Sequence, residues 1–169
     1  MDRLAVFTVC NAMDISGTKE EFIRRLQSNV FSVQCLINAW YCETPPWEVL
    51  DCADETRYWL NVRQQLVPRL CDAFNRYAKE GVPPMRALVS DYTHDPQTYS
   101  IENQYVFCDD LVVAPLATGE YKRNVYLPEG EWEDYFTGVA VNSGWFEVET
   151  EGIAVFVNKT KSKKCANAE

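Results

Sequence analysis

Apolar residues along this chain recur at two different periods, and the change from one to the other divides it. Leu4 to Val9 (LAVFTV) is a short, uninterrupted apolar run rich in β-branched residues. That is the pattern of a parallel strand covered on both faces, and it ends in the turn-forming stretch Asn11 to Gly17. Thr18, with Glu21 three residues on, reads as a capping box, after which Phe22, Leu26 and Val30 recur at helical spacing. A second run, Val33 to Ala39 (VQCLINA), has strand length and leads into a loop at Glu43 to Trp47, where Pro45-Pro46 forbids continued helix. Strand, helix, strand in this order predicts a parallel sheet. The next helix is expected over about Glu55 to Lys79, with Tyr58, Leu60, Val62, Leu66, Val67, Leu70, Phe74 and Tyr77 on a broad apolar face. It should stop at Gly81, ahead of Pro83-Pro84, and Pro68 inside it predicts a kink or break.

Beyond Gly81 the pattern becomes short β runs separated by turns. Met85 to Val89, Leu111 to Pro115, Asn124 to Leu127, Glu131 to Tyr135, Val139 to Val141 and Ile153 to Val157 are strand candidates, punctuated by Pro128-Glu129-Gly130 and Thr137-Gly138. Ser100 to Tyr105 is read as one helical turn. The grammar is that of an antiparallel β-sandwich segment packed directly on the α/β part, with no repeat and no low-complexity linker between them.

Composition narrows the chemistry. The 169 residues suit one ordinary domain or two small pieces of a larger one, and 47% hydrophobic with 13% aromatic content argues against disorder. A net charge of -9 disfavours nucleic acid and anionic membranes, both of which need a basic footprint, and a neutral substrate fits more easily. Lys159, Lys161, Lys163 and Lys164 form the one basic run, a solvated tail. No apolar segment approaches the roughly 18 to 20 residues that span a bilayer, and Met1 to Asn11 lacks the features of a signal peptide. Seven cysteines contain no CxxC pair, and His94 is the single histidine, so no metal site and no cofactor are expected. The odd count, with Cys35 and Cys71 set among apolar residues, reads as reduced, buried thiols of a cytoplasmic protein.

Met13 to Gly17, Glu21 to Gln27, Gly81 to Leu88, Gln104 to Pro115 and Tyr126 to Trp132 then fall in an order that resembles glycoside hydrolase family 31. Met13 to Gly17 (MDISG) resembles the family's Asp-Ile-Gly-Gly at the end of a late barrel strand, and Glu21 to Gln27 resembles the Glu-Leu-x-x-Arg-Trp-x-Gln helix after it. Phe31-Ser32 aligns with the Phe-Ser-Pro that opens the final barrel strand. Gln64 to Pro68 is similar to the Leu-x-Pro of the last barrel helix, and Gly81 to Leu88 to the Gly-x-Pro-x-x-Arg-x-Leu that leaves the barrel. Gln104 to Pro115 resembles Gln-Phe-x-x-Gly-x-x-Leu-Leu-Val-Ala-Pro, and Tyr126 to Trp132 the Tyr-Leu-Pro-x-Gly-x-Trp turn, continued by Asp134 to Gly138.

The resemblance implies a fold of α/β plus all-β class: the last two βα units of a (β/α)8 barrel over residues 1–82, then the proximal part of a C-terminal β-sandwich over 83–169. It also implies a retaining α-glycosidase acting on carbohydrate. Such enzymes need two carboxyl groups about 5 to 5.5 Å apart, and the family's aspartate pair lies N-terminal to the matched segment. No catalytic residue is therefore assigned, and the chain is expected to be silent alone. A full barrel takes roughly 250 residues, so a missing upstream region or another chain would have to complete it.

Sugar contacts are expected from Asp14, Asn38 and Trp40, where barrel active sites form. Asp14 can accept from sugar hydroxyls or merely shape its turn. Where the family commonly places Arg-x-His, this chain reads Ile37-Asn38-Ala39-Trp40, so an amide and an indole replace the imidazole. Asp91, His94 and Asp95 are read as a solvated turn, Trp47 as a loop anchor and Trp132 as a core residue. Two alternatives stay open: a non-catalytic assembly piece, and a β-rich carbohydrate-binding module using Trp132, Tyr135 and Trp145.

Overall fold

The computed structural model describes residues 10–11, 17–38 and 43–161, with the side chains of residues 10, 11 and 38 excepted. The predicted strand Leu4 to Val9 lies outside the described residues. Strand β1 (Cys10–Asn11) pairs in parallel with β2 (Ile37–Asn38), Cys10 opposite Ile37 and Asn11 opposite Asn38. Between them runs α1 (Lys19–Val30), started where the capping box predicts: the Thr18 hydroxyl accepts from the Glu21 N–H at 3.2 Å. Thr18→Ala is expected to cost about 1 kcal/mol in urea denaturation, since it orphans that donor while removing no buried surface.

Short helix α2 (Pro46–Val49) begins on Pro46, whose missing N–H is harmless in a first turn. Helix α3 (Ala53–Glu80) then runs 28 residues and ends at Gly81 with φ 72°, the left-handed conformation that glycine adopts at no steric cost. The expected break at Pro68 does not occur: α3 is continuous. Both Pro68 and Gln64, whose carbonyl loses its partner, are exposed, so water can hydrate the orphan.

The face of α3 also differs from expectation. Trp59, Val62, Leu66, Leu70 and Ala73 are buried, whereas Tyr58, Leu60, Val67, Phe74 and Tyr77 are exposed. Cys71 is exposed and Cys35 half-buried, so the expected burial of that pair is corrected; Cys52 and Cys108 are the buried thiols among the described residues.

The rest is mixed helix and antiparallel sheet. Strands β3 (Met85–Ala87), β4 (Tyr105–Phe107), β5 (Leu111–Ala114), β6 (Lys122–Leu127), β7 (Trp132–Asp134), β8 (Ala140–Val141), β9 (Gly144–Glu149) and β10 (Ala154–Asn158) follow, with the short helix α4 (Leu88–Asp91) after β3. One sheet has the order β3-β4-β5-β10-β7-β8, and β6 and β9 form a separate two-stranded ladder. Strands β4 and β9 were not expected. The helical turn expected over Ser100 to Tyr105 lies earlier, as a 3-10 turn at Pro96–Ser100, with β4 starting at Tyr105.

Strand alternation makes the larger sheet the middle layer. Tyr105, Val113 and Val155 are cross-strand neighbours and join Phe22, Leu26, Val30, Phe31, Leu66 and Leu70 in a core under α1 and α3. Val106, Val112 and Phe156 form the next row, on the opposite face, where they meet Val125 and Leu127 of β6 in a second core. The tight β4–β5 turn holds Cys108 at φ 48° and Asp109 at φ 69°. Cys108 occupies the glycine position of the motif quoted above, so here an L side chain carries a left-handed strain of about 1 kcal/mol.

Candidate functional site

The ends of β1 and β2 lie side by side, so the segments leaving Asn11 and Asn38 depart from neighbouring positions on one sheet edge. Asp14 and Trp40 belong to those segments and lie outside the described residues, and of Asn38 the backbone alone is described. What the structure does define is how the entry to β2 is held. Arg63 of α3 donates to the carbonyls of Val30 (2.8 Å), Ser32 and Val33 (3.2 Å), clamping the turn between α1 and β2. Buried Asn29 donates to Leu36 O at 3.1 Å, and the Ser32 hydroxyl donates to Gln34 O at 2.6 Å. Burial pulls the pKa of Arg63 down, as expected when a cation faces neutral carbonyls.

A second set of contacts locks the helices onto the sheets. Arg24, 5% exposed, donates to Gly152 O at 2.6 Å and to Glu120 O at 3.0 Å, while Glu20 accepts from the Gly119 N–H at 2.8 Å. The partners of Arg24, within the Glu21 to Gln27 motif, and of Arg63 are not legible in the sequence, because a helical arginine bonded to distant carbonyls leaves no periodic signal. Arg86 is different, since its place in the Gly-x-Pro-x-x-Arg spacing marked it.

Arg86 sits in a cleft of about 580 Å³ with Arg76, Asp91, Asp109 and Lys161. It grips Asp91 through two nitrogens and reaches Asp109 at 2.8 Å; Arg76 reaches Asp109 at 2.9 Å and Lys161 reaches Asp91 at 2.6 Å. Burial alone would raise the Asp91 carboxyl, but the hydrogen bonds and charges of Arg86 and Lys161 outweigh it and hold the carboxyl below its ordinary value. That is the opposite of what a general acid needs. Asp110 is shifted upward by burial, but it is paired with Arg69. These groups hold the fold together.

The remaining sequence candidates settle similarly. His94 is exposed; Asp95 caps the 3-10 turn through the Gln97 N–H and accepts from the Tyr126 hydroxyl at 2.7 Å. Trp132 is 2% exposed and donates its indole N–H to Pro128 O, while Tyr135 packs edge-on against Phe31. The three-aromatic platform of the binding-module alternative therefore does not exist as a surface, and of its members Trp145 alone is exposed. Among the described residues no helix is long and apolar enough to cross a membrane, and no group of three or more His, Cys, Asp and Glu could hold a metal ion.

Residues 81–161 match the family described as Glycosyl hydrolase family 31 C-terminal domain. An isomaltosyltransferase of Sporosarcina globispora is 34% identical over 96 residues, which are 56% of this chain and 9% of that protein. A family 31 α-xylosidase from a soil metagenome, solved with xylose, superposes with a TM-score of 0.77 at 26% identity, over 86% of this chain and 25% of that one. A cycloalternan-degrading enzyme from Trueperella pyogenes, solved with isomaltose, gives 0.72 at 28% identity, over 83% and 22%. The chain thus spans about a tenth of the length of the first of these relatives and about a quarter of the solved chains. Residues 81–161 are thus a Glycosyl hydrolase family 31 C-terminal domain, and the chain as a whole is similar in sequence and fold to family 31 proteins.

Proposed function

We propose that this chain is the C-terminal portion of a retaining α-glycosidase that hydrolyses O-glycosidic bonds in carbohydrates. In this reading residues 1–82 contribute the last two βα units of a (β/α)8 barrel, and residues 83–169 the proximal C-terminal β-sandwich with its basic tail. Asp14, Asn38 and Trp40 contact sugar hydroxyls and faces, and the catalytic aspartate pair belongs to a preceding region. The location is taken as cytoplasmic, which suits free thiols at Cys35, Cys52, Cys71 and Cys108.

The observation that carries this reading is the parallel pairing of β1 with β2 across α1, followed by α3. A β-α-β-α order with the strands side by side is the repeating unit of a barrel, and two strands cannot close one. The test is hydrolysis of aryl α-glycosides by the purified chain, with a thermal melt in parallel. No turnover is expected, and sustained turnover lost on Asp14→Asn would sink the proposal by locating the chemistry inside this chain.

One observation favours the second reading, an assembly piece that completes a barrel held elsewhere. Leu60, Val67 and Phe74 are exposed at a spacing of seven on α3, roughly a quarter of a turn round the helix from the buried stripe. A helix apolar over so wide an arc is characteristic of one covered on more than one side.

A further inference from the structure

The β6–β9 ladder turns one face to the core and the other outward. Val125, Leu127, Phe146 and Val148 face inward, and the alternate positions pair Tyr126, itself buried, with Trp145, Asn124 with Glu147 and Lys122 with Glu149. Trp145 is 52% exposed, yet it is held in place. Its indole N–H donates to Gln97 Oε1 at 3.1 Å, and its ring lies 5.1 Å from that of Tyr126 at 46°. Tyr126 in turn donates its hydroxyl to Asp95 Oδ2 at 2.7 Å, so the loop at 92–99 braces both rings. That loop also presents Tyr99, 62% exposed, with its hydroxyl donated to Thr93 O at 2.6 Å. An exposed aromatic usually loses rotamer freedom when a ligand arrives; here that cost is met in advance.

From this arrangement we propose a second carbohydrate-binding surface, outside the barrel end, in which Trp145 is the platform for the apolar face of a neutral pyranose ring. Asn124 and Glu147, one cross-strand pair further along, take its hydroxyls. Both are exposed, and the next outward pair on a strand lies about 7 Å away, a distance one sugar ring covers. An amide offers donors and an acceptor, and a carboxylate accepts from two hydroxyls at once, which is the complement of a vicinal diol. The charge on this face argues for a neutral ligand: Lys122 is paired with Glu149 at 3.0 Å, leaving Glu147 to repel phosphate, sulfate and uronate groups. The surface belongs to the β part and is independent of whether the chain is catalytically active.

Saturation-transfer NMR on the purified 169-residue chain with isomaltose as the probe tests this. The wild type should transfer saturation to the sugar, and Trp145→Ala should lower the transfer about fivefold, the effect of one lost aromatic face. Trp145→Phe should keep most of it, Asn124→Ala should lower it, and each variant should melt as the wild type does. Titration with isomaltose followed on the Trp145 indole N–H resonance should shift that resonance, which separates this surface from sugar contacts at the strand ends. Absence of transfer to the wild-type chain, transfer that survives both Trp145→Ala and Asn124→Ala undiminished, or a Trp145 indole resonance that isomaltose does not move, overturns the proposal.

Discussion

Phe31→Ala is expected to destabilise the fold by about 4 kcal/mol, the middle of the range for an aromatic truncated in a core. Phe31 is fully buried at the end of α1, edge-on to Phe107 (6.4 Å), Tyr135 (5.6 Å) and Phe136 (6.2 Å). Its ring joins the helical layer to the middle sheet, so truncation opens a cavity bordered by both. Its carbonyl also accepts the hydroxyl of Tyr105 at 2.9 Å, a phenol whose pKa burial drives upward. The substitution keeps that carbonyl, so the loss measured should be packing. Urea denaturation followed by circular dichroism should show the midpoint fall with an unchanged slope, and Phe31→Leu should cost no more than about 1.5 kcal/mol. Equal losses for both variants would mean that ring shape, rather than volume, matters at this joint.

Arg86→Met comes next, at about 3 to 5 kcal/mol, because it leaves two carboxylates in a cleft with one guanidinium removed from between them. The side chain of Arg86 is 6% exposed, against 12% for Asp91 and 15% for Asp109, so water does little to compensate. The acid dependence follows from Asp91. Despite burial, Arg86 and Lys161 hold its carboxyl below the ordinary value of 3.8. A carboxyl held low in the fold stabilises above its unfolded value, and that gain disappears as pH falls through the folded one. Wild type should therefore lose stability below about pH 4, and the gap between wild type and Arg86→Met should narrow there, since protonation relieves two acids left with one cation each. A gap independent of pH would show that Arg86 acts through packing of its stem.

These two positions illustrate different kinds of legibility. Arg86 sat in a spacing that could be matched in the one-dimensional chain, although its partners Asp109 and Lys161 could not be named from it. Phe31 belonged to a short motif, but nothing local placed it against Phe107 and Tyr135, whose contacts with it span more than seventy residues. The candidate site divides in the same way. Asp14, Asn38 and Trp40 were reached by motif order, whereas the clamp of Arg63 on the turn before β2 became visible only when α3 folded back over α1.

Local free energies were enough to specify the start of α1 at Thr18, the end of α3 at Gly81 and most of the β runs after it. Each depends on a cap, a left-handed glycine or a two-residue period, all determined within a few neighbours. Tertiary structure alone decided which apolar residues of α3 are covered, why Pro68 leaves the helix whole, and that β4 and β9 are strands. Burial is a property of what packs against a residue. The same Leu and Val pattern is core or surface according to elements far away in sequence, and for Trp145 and Tyr126 a cross-strand register set an exposed indole against a buried phenol.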